Sequence, residues 1–416
     1  MTEICDEWDS APLTAAFCAY DSPGNVSGPN VWLLRLLPEL RSRGVQSRVL
    51  VFSLEPSDSP TVELLRAAGI PVDVFKFKSS TKAKIKWILE QCEIHPVDVF
   101  VPNLVIPGFF AATRLALKGI PSIGVVHSDD SFYRAVIEEL GKPDGAFQLS
   151  AVVAVSEFLE GMVRNSAGDG LAVFRIPCGV SIPDKVATRP NDQLKLIYVG
   201  RLEEEQKRIS DVVSALCSVT KKIPGVHAEV FGDGSAAKTV EGIIRRKNAG
   251  ERVILHGRID PDDIQKKMLD THVIVLLSDY EGLPVAVMEA MACGLVPVCR
   301  NIASGIPELI RDGINGLLVD NRADQFEAAV SKLKASPDTW LELSQNSRET
   351  IVQSFSNEIC SARWSKVLRE VADAGPPKTD GAQSLPPLRR EFMREDFRGH
   401  HLLTRLANRI LTKFHP

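Results

Sequence analysis

The stretch SDYEGLPVAVMEAMACGLVPVCRN, Ser278 to Asn301, sets two glutamates, Glu281 and Glu289, eight residues apart around an apolar segment. It follows the run VIVLLS (273–278), which reads as a buried strand, so Glu281 stands at that strand's C-terminal end. Gly282 permits close backbone approach, and Pro284 suits the first turn of a helix predicted over 285–293. LVPVCR (295–300) then reads as the next strand. Strand, helix and strand in succession argue for a parallel sheet wrapped by helices.

The same alternation extends in both directions. LTAAFCAY (13–20) reads as a strand, followed by the glycine-bearing loop DSPGNVSG and a helix ending at Gly44. SRVLVFS (47–53), PVDVFKF, VDVFVPN, PSIGVVH (121–127) and the start of SAVVAVSEFLEGMVR (150–164) continue as strands between helical patterns. Near IPDKVATRPNDQ (182–193) the text turns polar and proline-bearing, which marks a linker. Alternation restarts at LKLIYVGR (194–201) and runs to the closing helices FEAAVSKLKAS (326–336) and NEICSARWSKVLREVA (357–372).

The expected organisation is therefore α/β. An N-terminal Rossmann-like domain spans 1–185 and a C-terminal one spans 186–356. A closing helix, 357–374, returns to the first domain, and 375–416 forms an extension. Two such domains leave a cleft at the carboxyl ends of their sheets, where ligands bind. Within the extension, GPPKTDGAQSLPP reads as a spacer. The Arg-rich segment 386–416 reads either as an amphipathic helix on a membrane surface or as a helix docked on the protein itself or frayed in solvent.

Bulk properties narrow the classes. A chain of 416 residues, 44% hydrophobic and 25% charged, has the composition of a soluble two-domain protein. A net charge of −4 gives no reason to expect nucleic acid. The eight cysteines form no CxxC and no zinc spacing. The acidic N-terminus has no signal-peptide pattern, and no apolar run approaches the ~20 residues of a membrane span, so a cytoplasmic location is expected.

The candidate chemistry gathers at strand ends. A helix starting after Pro284 would offer free N–H groups and a positive dipole end to a phosphate. Glu289, one turn in, could accept both hydroxyl hydrogens of a ribose diol, and Glu281 could do the same for a sugar. Alternatively, Glu281 balances the helix terminus and Glu289 sits in a buried ion pair. In VGRLEEEQKRISDVV (199–213), Arg201 and Lys207 lie six residues apart at a strand's end and could clamp a diphosphate. Pairing with Glu203, Glu204 and Glu205 is the competing reading. VFGDGS (230–235), with Gly232, is a turn that could approach a nucleotide. The Gly24–Gly28 loop is G-x-x-x-G, which is neither a dinucleotide fingerprint nor a P-loop. His127 ends strand PSIGVV on the ligand side of the sheet. Asp260-Pro-Asp262 spells D-x-D, but its place before DIQKKML reads as helix capping, so no metal is expected.

The ordered set resembles the family 4 retaining glycosyltransferases. E281GLPVAVME289 followed by AMACGLVPV, then GIPELI (305–310) and DGINGLLV (312–319), carries the likeness. VGRLEEEQK, AVSEFLEGMV and IPCGV fall in matching segments, and the likeness covers roughly residues 12–372. It implies a GT-B fold and metal-independent, cofactor-free transfer of a sugar, with retained anomeric configuration, to a saccharide or lipid-linked hydroxyl. The donor would be a nucleotide diphosphate sugar, UDP- or GDP-linked. It assigns Arg201 and Lys207 to the diphosphate, Glu289 to the ribose, and Glu281 to the sugar hydroxyls. His127 would lie near the sugar, and Gly28 near the phosphates. Gly200, Gly232, Gly282, Leu283 and Pro284 would line the donor, with Glu308 on the nucleotide side. Two departures concern substrate details: SPGNVSGPN replaces the common Gly-Gly pair, and Cys178 replaces the usual Asn before Gly179. The competing readings are a sugar-nucleotide epimerase or an inactive protein that only binds a nucleotide sugar.

Overall fold

The structure, a computed structural model, describes residues 12–23, 26–142, 145–167, 170–259 and 261–378. Gly24, Asp260 and the segment 386–416 fall outside these residues. The chain forms two compact units. The first holds residues to Val155, Glu160–Ile176 and the chain from Ser361; the second holds Ser156–Leu159 and Pro177–Cys360.

The first unit alternates β1 (Leu13–Asp21), α1 (Gly28–Ser42), β2 (Val45–Ser53), α2 (Pro60–Ala67), β3 (Val72–Lys76), α3 (Thr81–Ile94) and β4 (Val99–Asn103). It continues with α4 (Ile106–Ala116), β5 (Ser122–Val126), α5 (Ser131–Leu140), β6 (Ala151–Ala154), α6 (Glu157–Ser166) and β7 (Ala172–Arg175). The sheet runs β3-β2-β1-β4-β5-β6-β7, and every neighbouring pair is parallel. Strands β4, β5 and β6 are buried throughout, as expected of parallel strands covered on both faces.

The second unit repeats the plan with β8 (Leu194–Val199), α7 (Ile209–Lys222), β9 (Val226–Phe231), α8 (Ala237–Arg246), β10 (Val253–Gly257), α9 (Pro261–Leu269) and β11 (Val273–Leu276). Then come α10 (Val285–Ala292), β12 (Val296–Arg300), α11 (Ile306–Leu309), β13 (Leu317–Val319), α12 (Asp324–Ala335), α13 (Pro337–Ser354) and α14 (Asn357–Ala374). Its parallel sheet runs β10-β9-β8-β11-β12-β13. Strand order reverses between β1 and β4 in the first unit and between β8 and β11 in the second. Such reversal points are where open parallel sheets bind ligands.

The change of unit comes at Ile176/Pro177, before the polar stretch read as a linker. The reason is local. The Val180 N–H donates to the Phe355 carbonyl at 3.0 Å, and Asn357 N–H donates back to the Val180 carbonyl at 3.0 Å. That exchange ties the segment after β7 to the chain entering α14. The helix itself changes unit after Cys360. Further along it, Trp364 lies 5.4 Å from Trp32 of α1, and Arg369 Nη2 donates to the Arg43 carbonyl at 3.1 Å.

Two helices carry little sequence signal. In α5, the Asp130 side chain caps the first turn by accepting from Tyr133 N–H at 3.0 Å. In α13, the buried stripe is Trp340, Leu343, Ser344, Ser347 and Ile351, so serines interrupt its apolar face. Those serines bind backbone: Ser344 Oγ donates to the Gly294 carbonyl and Ser347 Oγ to the Leu295 carbonyl, at 2.5 and 2.8 Å. Arg348 also donates to the Ala292 carbonyl. α13 thereby braces the C-terminal end of α10. Among the described residues, no helix is long and apolar enough to cross a membrane.

Candidate functional site

The second unit assembles a polar cluster where β8 and β11 end side by side. Buried Tyr198 in β8 donates its hydroxyl to the Arg201 carbonyl at 3.0 Å and so shapes the turn that follows. Burial, and then the negative charge of Glu281, push the Tyr198 phenol far above its usual range. Arg201 Nη1 donates to Glu203 Oε2 at 2.9 Å, and its Nη2 donates to Gln206 Oε1 at 2.8 Å. Gln206 Nε2 in turn donates to the Tyr280 carbonyl at 2.9 Å and faces Glu281 Oε2 at 3.4 Å. Lys207 Nζ closes the cluster on Glu281 Oε1 at 2.6 Å, with only 13% and 7% of the two side chains exposed.

The two cations read as a diphosphate clamp thus differ in setting. The Arg201 side chain is 60% exposed and holds Glu203 in a surface pair, which is worth little by itself. Lys207 does not join the run Glu203–Glu205. It turns inward to Glu281, seventy-four positions along the chain. Arg208 adopts a left-handed backbone (φ 50°) and turns to Asp211 at 2.8 Å and Asp279 at 3.7 Å. Asp279 also takes Arg300 and Arg322. Burial alone would raise its carboxyl, but Arg322, Arg300 and Arg208 outweigh that and hold it below the usual range. This anchors the loop two residues ahead of Glu281.

The glycines of the site serve close approach. Gly232 has φ 146°, and a Cβ there would fall 1.9 Å from the Gly200 carbonyl oxygen. The turns after β8 and β9 can therefore touch only if residue 232 has no side chain. Gly282 accepts from Gly305 N–H at 2.8 Å, tying the loop before α10 to the one before α11. Pro284 is the N-cap of α10 rather than a first-turn residue, because its extended ψ of 93° lies outside the helix. Leu283 is buried beside it. Glu289 is half-buried one turn in, and after burial it is the next cause pushing the Cys293 thiol up to about 12. Glu308 in α11 accepts from Glu157 N–H at 2.6 Å.

In the first unit, His127 follows β5 and Gly28 opens α1. A Cβ on Gly28 would meet nothing within 4 Å, so space is open above it. His127 Nε2 lies 2.8 Å from Asn103 Oδ1. Asn103 Nδ2 donates to the Cys18 carbonyl, so Oδ1 is the acceptor and His127 carries its proton on Nε2. The ring packs edge-on to Trp32 at 5.0 Å. Loss of hydration pushes the imidazole down to about 3, so it is neutral at physiological pH. Asn103 and Gln206 were not singled out in the sequence. Asn103 stands at a strand's C-terminal end with φ 51°, and that position was the available signal. Gln206 stood next to Lys207 inside a run of charges.

A cavity of about 480 Å³ opens between α7 and α12, lined in part by Arg300, Arg322 and Lys222. Its cations face carboxylates of the chain itself: Asp279 for the two arginines and Glu327 for Lys222. The cluster at Lys207 and Glu281 is the better candidate.

Comparison with known proteins bears on both units. The family described as Glycosyltransferase Family 4 matches residues 26–182, and that described as Glycosyl transferases group 1 matches residues 183–350. The lipopolysaccharide 1,6-galactosyltransferase of Salmonella typhimurium is 30% identical over 178 residues, 41% of this chain and 48% of that protein. The N-acetyl-alpha-D-glucosaminyl L-malate synthase of Bacillus anthracis is 26% identical over 178 residues, 42% of this chain and 45% of that one. The chain thus spans about half the length of the curated relatives it matches. Among solved structures, Anabaena Alr3699/HepE in complex with UDP and glucose superposes with a TM-score of 0.70 at 20% identity. That match covers 86% of this chain and all of the other. At such identity the likeness concerns the fold, the two-Rossmann GT-B architecture.

Proposed function

Because the chain belongs to the family 4 glycosyltransferases, we propose that it moves a sugar from a nucleotide diphosphate sugar to a hydroxyl of a saccharide or lipid-linked acceptor. The observation that carries this reading is the linked set Arg201, Gln206, Glu281 and Lys207 beside the N-terminus of α10. A departing nucleoside diphosphate is an anion, and this set supplies two cations and a helix terminus where its charge grows.

Each residue then has a task. Arg201 and Lys207 neutralise the diphosphate, and free N–H groups in the first turn of α10 receive phosphate oxygens. Glu281 accepts hydrogen bonds from the sugar's hydroxyls, and Glu289 accepts both from the ribose diol. Gly200 and Gly232 let the backbone approach the donor, with Leu283 and Pro284 leading into α10. Neutral His127, in the first unit, gives its Nε2–H to Asn103 and keeps Nδ1 as a hydrogen-bond acceptor. The acceptor hydroxyl attacks the anomeric carbon from the leaving group's side. The new C–O bond forms as the bond to the phosphate oxygen breaks, and that oxygen takes the hydroxyl proton. Configuration is retained, and no metal is needed because side-chain cations hold the diphosphate. UDP is the first nucleotide to try, since the Anabaena structure carries it. Contact of 386–416 with an anionic membrane surface belongs to the same reading; deleting the chain after 375 should abolish salt-sensitive vesicle binding.

The test is incubation with UDP-glucose, UDP-galactose, UDP-N-acetylglucosamine and GDP-mannose, with and without EDTA. Release of nucleoside diphosphate that EDTA does not slow, and product with the donor's anomeric configuration, are expected. Tight binding without release from any donor would favour a protein that only binds nucleotide sugars.

A further inference from the structure

We propose that Gln206 is a positioning residue of this site, holding Arg201 and Glu281 in fixed relation while Lys207 changes partner. The inference rests on the sugar-transfer reading above.

The geometry leaves Gln206 one orientation. Its amide is buried, with Oε1 on the Arg201 guanidinium at 2.8 Å and Nε2 on the Tyr280 carbonyl at 2.9 Å, facing Glu281 Oε2 at 3.4 Å. Turning the amide over would set N–H against N–H and oxygen against two acceptors. Its own carbonyl accepts from Asp279 N–H at 2.9 Å. Side chain and backbone together therefore stitch the β8–α7 turn to the β11–α10 loop.

The need for such a stitch follows from Lys207. Its ammonium is held by Glu281 Oε1, yet a diphosphate would draw it away. Glu281 would then lose its strongest partner as it must meet the sugar. Gln206 addresses the other oxygen, Oε2, and stays attached to Arg201, which faces the same diphosphate. A neutral residue with one acceptor and two N–H donors fits this position. A carboxylate there would repel Glu281, and a hydrocarbon would release both ends.

The charged groups facing position 206 are Arg201 and Lys207 from the β8–α7 turn and Glu281 from the β11–α10 loop. This makes Gln206→Glu informative. When ionised, the introduced carboxyl can satisfy Arg201 but cannot donate to Tyr280 or Glu281. When protonated, it has one acceptor oxygen and one O–H, and it restores the bridge.

The experiment compares wild type, Gln206→Ala and Gln206→Glu in the intact chain, using the turned-over donor from the panel. For Gln206→Ala, kcat is expected to fall on the order of ten- to a hundredfold with a smaller change in KM, as for displaced catalytic groups. For Gln206→Glu, kcat relative to wild type should be low at pH 8 and recover as pH falls through the introduced group's titration. If both variants keep wild-type kcat, or the relative kcat of Gln206→Glu is flat with pH, the positioning role is overturned while sugar transfer stands. A wild type that turns over no donor overturns both.

Discussion

Lys207 and Glu281, distant in sequence, are each other's ion-pair partner at 2.6 Å, nearly out of solvent. Such a pair is costly to break from one side, because the remaining charge keeps its desolvation penalty without its partner. Lys207→Met should lower unfolding stability by about 3 kcal/mol and reduce turnover to background. Adding Glu281→Gln should return most of the stability and none of the turnover. Denaturant unfolding of the two single variants and the double variant measures the coupling. Additive losses would mean that the two groups do not support each other.

Gly232 permits the contact between the β8 and β9 turns. A Cβ there falls 1.9 Å from the Gly200 carbonyl, in a backbone conformation (φ 146°) that side chains rarely adopt. Gly232→Ala is expected to cost on the order of 3 kcal/mol and to weaken UDP binding. Gly200→Ala places its Cβ 3.0 Å from the Tyr198 hydroxyl, a smaller conflict, and should cost less. Thermal unfolding and calorimetric titration with UDP rank the two. Equal effects would remove the close-approach argument.

Much of this arrangement is legible in the sequence, because parallel sheets place chemistry at strand ends. Glu281 follows an apolar run and Arg201 follows LKLIYV, and both stand at the β8–β11 reversal point. The pairing of Lys207 with Glu281 is not legible, because three nearer glutamates offered the lysine the same charge. The finer details depend on side chains that carry no periodic signal. Serines in the stripe of α13 brace α10 through carbonyls, and Gln206 bridges two loops from within a charged run. The unit boundary was hidden for a similar reason: backbone exchange between Val180 and Ser356's neighbours fixes it, whatever the side chains.

His127 should make the fold acid-sensitive. Its folded pKa, about 3, lies below the 6.5 of an exposed imidazole, so the unfolded chain binds the proton more readily. The stabilisation is complete above about pH 6.5 and is lost progressively as pH falls towards 3. His127→Gln, which does not titrate, should show a shallower loss over this window in urea unfolding at stepped pH. Neither protein should show an inflection from this position in its pH–rate profile between pH 6 and 8, since the imidazole is already neutral there. Identical stability-versus-pH curves for the two proteins would refute the neutral, half-buried histidine.

The most direct measurement is a crystal structure of the protein with UDP and a divalent-metal chelator in the solution. The account expects the diphosphate at the N-terminus of α10, with Arg201 Nη and Lys207 Nζ both within hydrogen-bond distance of its oxygens. Lys207 should have left Glu281 Oε1, while Gln206 still bridges Arg201 and Glu281. UDP bound elsewhere, with Lys207 unmoved on Glu281, would contradict it.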